Sequence, residues 1–227
     1  MLVVFDLDNT LVDRDMAFQR SLDRLFREYP PTPTKRQYQH ILRIDRSGRN
    51  SRKELLEYLA QNFVQLPRNP EIIWNLLSRL ATEITPVPAI HKMLQRLAKE
   101  YTLCLISNGS SSMQRTKLEH SDLGKFFELI LISGEHGISK PDSRLFKMAI
   151  RHFRIGRSKT VMIGDDLERD IKPARRLGIK TIWVKGKPKV WHSKYCPSKE
   201  LGWTQDQNHR MIESVTDVEE TISQCLI

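Results

Sequence analysis

The sequence predicts a three-layer α/β protein on a parallel sheet, with an all-helical segment inserted after the first strand. Three observations carry this. Short apolar runs recur at residues 2–5, 103–106, 129–132, 160–163 and 181–184, and from Ala89 onward they alternate with stretches of helical spacing. Such alternation implies right-handed crossovers and a parallel sheet between helices. Between Asp13 and Pro86 no convincing strand breaks the helical pattern. Finally, polar residues able to do chemistry follow several of the runs, where open parallel sheets bind ligands.

Leu2, Val3, Val4 and Phe5 are continuously apolar, as a strand buried on both faces requires. Met16, Phe18, Leu22, Leu25 and Phe26 give helical spacing over 15–29, and Pro30, Pro31 and Pro33 stop it. A second helix includes 37–42, and a basic stretch over 43–53 follows. Leu55, Leu56, Tyr58, Leu59 and Phe63 mark a third helix, and Ile72, Ile73, Leu76, Leu77 and Leu80 a fourth. Pro86 and Pro88 mark the return to the sheet. Residues 14–86 are therefore expected to form one helical domain, and 1–13 with 87–227 a discontinuous α/β domain.

In that second part a helix over 89–99 leads to the strand at 103–106, which ends at Ser107-Asn108-Gly109. A helix over 113–119 precedes the strand at 129–132, and Ser143 is the expected N-cap of a helix over 143–153. The strand at 160–163 ends at Gly164-Asp165-Asp166, and a helix over 171–177 stops at Gly178. Residues 186–210 are irregular, polar and basic, with Trp191 and Trp203; structureless segments of that length are usually functional or disordered. A short edge strand is expected at 211–214, and then a last helix capped by Asp217 and carrying Val218, Ile222 and Leu226.

The chain has 227 residues, enough for one large or two small domains. No apolar run reaches membrane-spanning length, and Asp6 and Asp8 interrupt the N-terminal run at once, against a secretory signal. Cys104, Cys196 and Cys225 are scattered without pairing spacing and read as reduced thiols, which places the protein in the cytoplasm. His192, Cys196 and His209 fit no zinc ribbon or finger. The formal net charge of +10 is compatible with an anionic substrate, a nucleic acid or a solvated surface.

Asp6 and Asp8 stand two apart where the first strand ends. Side chains two apart in an extended segment point the same way. Neighbouring carboxylates repel unless a cation or a shared proton relieves them. The pair therefore points to a metal site, or to a nucleophile with an acid/base partner.

Asp6-x-Asp8-Asn9-Thr10, Ser107-Asn108-Gly109, Lys140-Pro141-Asp142 and Gly164-Asp165-Asp166-x-x-x-Asp170 stand in this order at strand ends. Together they resemble the haloacid dehalogenase superfamily, in its phosphatase branch with a helical cap after the first strand. The resemblance covers residues 1–184. It implies a Rossmann-like core, a cap at 14–86 and Mg²⁺-dependent hydrolysis of phosphate esters. Asp6 then matches the nucleophile, which forms an aspartyl-phosphate. Asp8 matches the acid/base residue, protonated in the first step beside ionised Asp6. Asp6, Asp165 and the backbone carbonyl of Asp8 match the metal ligands. Asp166 and Asp170 would stand behind them, and Asp170 is also a candidate helix cap. Ser107, Asn108 and Gly109 match the phosphate-binding turn, with amides at a helix N-terminus. Lys140 matches the fixed cation. Arg43, Arg46, Arg49 and Arg52, within Asp45-x-x-Gly48-x-x-x-Arg52, resemble cap loops that reach the site; a solvated basic turn is the other reading.

The resulting expectation is a phosphatase for a small phosphorylated metabolite: a nucleoside monophosphate, a sugar phosphate or phosphoglycolate. A phosphomutase with the same motifs is one alternative. A basic nucleic-acid-binding protein using Lys187, Lys189, Lys194 and Lys199 is another.

Overall fold

The computed structural model describes residues 1–187, 206 and 208–225. Among them, β1 (Leu2–Phe5), β2 (Thr102–Ser107), β3 (Leu129–Ile132), β4 (Thr160–Gly164), β5 (Lys180–Val184) and β6 (His209–Ile212) form a six-stranded sheet. Its order is β3-β2-β1-β4-β5-β6, and every pairing is parallel. The order reverses at β1, so the crevice of a doubly wound sheet opens at the carboxyl end of that strand. Phe5 is level with Leu105 of β2 and with Ile163 of β4. The residues just beyond these three strands are thereby brought side by side.

The period-two geometry of a strand divides β1 between two cores. Val3 and Phe5 pack in the cluster that contains Ile90, Met93, Leu94 and Leu97 of α5 (Pro88–Glu100) and Ile222 of α10 (Val218–Cys225). Leu2 and Val4 pack with Leu145, Phe146 and Ala149 of α8 (Ser143–Phe153) and Ala174 of α9 (Lys172–Arg176). Helices therefore cover both faces, which is why the strands are apolar throughout rather than alternating.

Residues 14–83 form α1 (Arg14–Glu28), α2 (Lys35–Asp45), α3 (Arg52–Asn62), α4 (Pro70–Ser78) and short 3-10 turns. No strand occurs there among the described residues. Local chemistry starts these helices: Asp13 accepts from the Met16 amide, and Thr34 and Gln37 form a reciprocal capping box. Phe18, Leu22, Phe26, Ile41, Leu59, Ile73 and Leu77 belong to the same apolar cluster as Val3 and Phe5. The helical insertion thus packs continuously with one side of the sheet. Arg46, Ser47 and Gly48 all have positive φ (45°, 57° and 76°), which turns the chain sharply after α2.

Several boundaries differ from the sequence expectation. Asp142, not Ser143, caps α8, its carboxylate accepting from the Arg144 amide at 2.8 Å. The helix expected at 171–177 begins earlier, as a π-helical turn over Leu167–Ile171 that continues into α9. Asp166 caps that turn, accepting from the Glu168 and Arg169 amides, so Asp170 is not the cap. The edge strand comes two residues early, at His209–Ile212. Ser214 caps a 3-10 turn, Val215–Asp217, that leads into α10. Trp191, Trp203, His192, Cys196, Lys189, Lys194, Lys199 and Leu226 lie outside the described residues. Among the described residues no helix is long and apolar enough to cross a membrane.

Candidate active site

Asp6 continues β1, and its amide donates to the Ile163 carbonyl at 2.9 Å. The turn behind it is held by side chains. Asn9, at φ +61°, exchanges hydrogen bonds with the backbone and carboxylate of Asp15, each at 3.2 Å. Thr10 accepts from the Asp165 amide at 3.1 Å and donates to Asp6 Oδ2 at 3.1 Å. One hydroxyl therefore ties the end of β1 to the end of β4.

Lys140 is 3% exposed. Its Nζ lies 2.6 Å from Asp6 Oδ1, 2.7 Å from Asp170 Oδ1 and 2.8 Å from the Ile106 carbonyl. Burial works against its ammonium form, but Asp170 and Asp6 outweigh that and hold its pKa up. Burial pushes the Asp6 carboxyl up and Asp8 adds to it, with Lys140 pulling the other way. Burial, and then repulsion from Asp6 and Asp170, raises Asp165 well above the usual carboxylate range. Asp170 is also raised, first by burial, against the pull of Lys140.

Ligand oxygens of Asp6, Asp165 and Asp170 lie within 4.8 Å of one another. These hard oxygens, crowded beyond what Lys140 neutralises, fit a divalent cation such as Mg²⁺. The grouping differs from the sequence expectation in one respect. Asp170 stands in the carboxylate cluster itself, while the Asp8 carboxylate is turned elsewhere.

Asp8 is held by α6 (Ser111–Ser121). Lys117 Nζ is 2.7 Å from each Asp8 oxygen, and Gln114 Nε2 donates to Asp8 Oδ2 at 3.1 Å. In the fold Asp8 is the ion-pair partner of this buried lysine. Burial lowers the Lys117 pKa, with Asp8 opposing.

The residues of the expected phosphate-binding turn are tied to the loops around them. The Asn108 side chain donates to the Lys140 carbonyl at 2.9 Å and accepts from the Lys140 amide at 2.8 Å, fixing the lysine loop. The Gly109 amide donates to Ser133 Oγ at 2.9 Å. Ser107 is buried, and its hydroxyl accepts from Gln114 Nε2 at 2.5 Å.

The basic arginines separate clearly. Arg49 faces the site, with Nε 2.7 Å from Asp166 Oδ2 and a terminal nitrogen 3.5 Å from Asp165 Oδ2. Arg52 pairs with Glu71 and lies 4.9 Å over the Trp74 ring. Arg43 and Arg46 are exposed. Arg14, which sequence reading passed over, is buried and grips the Asp45 carboxylate with both terminal nitrogens. Lys187 is 2.8 Å from Asp15 Oδ2, so it reaches into the fold rather than out toward a polyanion. A cavity of about 370 Å³ joins Asp6, Asp8, Arg49, Lys140, Asp165 and Asp170.

Residues 3–184 match the family model described as haloacid dehalogenase-like hydrolase. The chain belongs to the haloacid dehalogenase-like hydrolases. It is 30% identical over 195 residues, 81% of this chain and 80% of the relative, to a glyceraldehyde 3-phosphate phosphatase of Pyrococcus furiosus. It is 25% identical over 219 residues, 92% of this chain and 95% of the relative, to a pyrimidine 5'-nucleotidase of Escherichia coli. Its fold is similar to that of a haloacid dehalogenase-like family hydrolase from Xanthomonas campestris. The TM-score there is 0.67 at 18% identity, over 99% of this chain and 97% of that one. In this haloacid dehalogenase-like hydrolase, then, the strand ends and the segments that follow them assemble the carboxylates and Lys140, while α6 and the turn after α2 add Lys117, Gln114 and Arg49.

Proposed function

We propose that this hydrolase is a Mg²⁺-dependent phosphatase for a small phosphorylated metabolite and works through an aspartyl-phosphate on Asp6. The observation that carries the reading is the pairing of Asp6 and Asp8 in one cavity, with Asp6 held by Lys140 at 2.6 Å and Asp8 free of that cluster. Two carboxylates held in different surroundings suit two roles. An Asp6 oxygen attacks phosphorus as the ester P–O bond breaks, and Asp8 gives the leaving oxygen its proton. Asp8 then takes a proton from water attacking the phospho-Asp6 group, which frees phosphate and returns Asp6 as the carboxylate and Asp8 as the acid. Lys140 neutralises charge that the phosphoryl oxygens bring to Asp6. Asp6, Asp165 and Asp170 would hold Mg²⁺, which when bound supplies further positive charge to the phosphoryl oxygens.

The substrate class is supported by the relatives, whose names specify glyceraldehyde 3-phosphate and pyrimidine 5'-nucleotides. The helical insertion, acting as a cap, would close over such a molecule and exclude water. A screen of phosphorylated metabolites with Mg²⁺ tests the reading, with free phosphate and organic product both measured. Release of phosphate supports it. Isomerised ester with no free phosphate would instead identify a mutase.

Two further results are expected. Chelation should abolish turnover and added Mg²⁺ should restore it, read by phosphate release; full activity after thorough metal stripping would remove the carboxylate cluster from the chemistry. Arg49 should set selectivity, because it is the arginine of the basic turn that reaches Asp165 and Asp166. A charge-assisted hydrogen bond contributes about 1.5–3 kcal/mol, so Arg49→Ala should lower kcat/KM for the preferred metabolite about 10- to 100-fold. An aryl phosphate should lose less, and Arg43→Ala and Arg46→Ala should change little. Saturating Mg²⁺ is needed, since Arg49 touches Asp165. Equal losses on every ester would rule out a selectivity role.

A further inference from the structure

We propose that Lys117 and Gln114 of α6 are positioning residues, which fix the Asp8 carboxylate in the plane from which it meets the leaving oxygen. The inference rests on the acid/base role of Asp8 argued above. Lys117 is 2% exposed, and its Nζ is 2.7 Å from both Asp8 oxygens. Gln114, three positions earlier on the same helix face, is 1% exposed. Its amide nitrogen reaches Asp8 Oδ2 at 3.1 Å and Ser107 Oγ at 2.5 Å. The Asp8 side chain is 24% exposed and opens on the cavity.

This asymmetry points to function. A buried ion pair is costly to desolvate, and apolar side chains of similar volume in place of both partners often serve stability as well or better. The cation also sits against the carboxylate that must aim at a substrate. Contact with both oxygens stops the carboxylate from rotating about its Cβ–Cγ bond. Gln114 then defines which oxygen lies toward Ser107. The loop has closed tightly on that amide: Gly109 has φ +145°, and a Cβ there would meet Gln114 Cδ at 2.9 Å. One helix face thus links the phosphate-side hydroxyl to the acid/base carboxylate. Both donors act through Asp8 or Ser107, as supports that lock a reacting group's rotamer do.

The test compares Lys117→Met, Lys117→Gln, Asp8→Asn and the Asp8→Asn/Lys117→Met double variant, on an alkyl and an aryl phosphate with saturating Mg²⁺. Misplacing a reacting group by about 1 Å can cost about 10²-fold, so Lys117→Met should lower kcat on the alkyl ester by about 10- to 100-fold. KM should stay within about threefold, because the lost contact orients the acid and does not bind substrate. Its melting temperature should fall no further than that of Asp8→Asn, because the carboxylate it leaves unpaired is 24% exposed whereas the Lys117 ammonium is buried. Lys117→Gln, which keeps a donor, should fall between Lys117→Met and the parent protein. In the Asp8→Asn background, Lys117→Met should add no more than about twofold, because coupled residues are not additive. An unchanged kcat in Lys117→Met, or a full loss on top of Asp8→Asn, overturns the inference. If Asp8→Asn itself keeps full turnover on both esters, the acid/base reading falls and takes this inference with it. If Asp8→Asn is impaired while Lys117→Met and Lys117→Gln are not, the inference alone falls.

Discussion

Asp6→Asn should have no measurable turnover on either alkyl or aryl phosphates. Removing a covalent nucleophile costs on the order of 10⁴–10⁶-fold, and an amide oxygen cannot replace an anionic carboxylate in forming a bond to phosphorus. No burst of aryl alcohol should precede the steady state, and no phosphorylated protein should be trapped by acid quench. The protein should still fold. Asn nearly matches Asp in shape and removes one of the charges that crowd Asp165 and Asp170. Lys140 would keep Asp170 at 2.7 Å and the Ile106 carbonyl at 2.8 Å. The melting temperature of the metal-free variant should therefore equal or exceed that of the parent protein. A folded Asp6→Asn protein whose turnover stays within tenfold of the parent would remove Asp6 from the bond-making step.

What the sequence could reveal about this site follows from where each residue sits. Asp6, Ser107 and Asp165 were legible because a parallel sheet exposes its ligand site at strand ends, and strand ends are marked by apolar runs that stop. The five strands with continuous apolar runs were likewise clear, while His209–Ile212 is only partly buried and shifted by two residues. Ser143 lost the cap of α8 to Asp142 because both types cap well and only the local φ and ψ decide. Asp170 lost its candidate cap to Asp166 for a similar reason. The π-helical turn starts early enough for Asp166 to cap it, which leaves Asp170 buried against Lys140.

Lys117 and Gln114 were missed because polar residues inside a helix normally face water. One signal was available. The segment 111–121 offers only Met113 and Leu118 as apolar residues, too few to bury a helix face. Gln114, Lys117, Leu118 and Ser121 fall at three- and four-residue spacing and are the buried ones. A helix that must pack on a sheet yet offers a lysine on its inner face needs an acidic partner, and the carboxylates beyond the strand ends were the candidates. The Arg14–Asp45 pair carried no comparable signal. It joins positions 31 apart through a turn whose positive φ values no local pattern announced.

Asp8→Asn should separate the two steps of the reaction. In the first step a proton matters most for a poor leaving group such as a sugar alkoxide; an activated aryl phosphate leaves as a stable phenolate without one. In the second step water must be activated whatever has left. The variant should therefore lose steady-state turnover on both esters, by about 10²–10⁴-fold, yet still be phosphorylated by the aryl ester. Phospho-Asp6 should accumulate, giving a burst of phenolate close to one per active site and then slow release of phosphate. The alkyl ester should give no burst. Folding needs its own control, because Asn in place of Asp8 leaves the Lys117 ammonium buried at 2% exposure without its counter-ion. The Asp8→Asn/Lys117→Met double variant removes both charges and should recover any melting temperature lost by Asp8→Asn alone, while keeping the burst. Were pre-steady-state phosphorylation to slow equally for alkyl and aryl esters in both variants, Asp8 would not be the general acid. Its ion pair with Lys117 would then be a structural link between the first strand and α6.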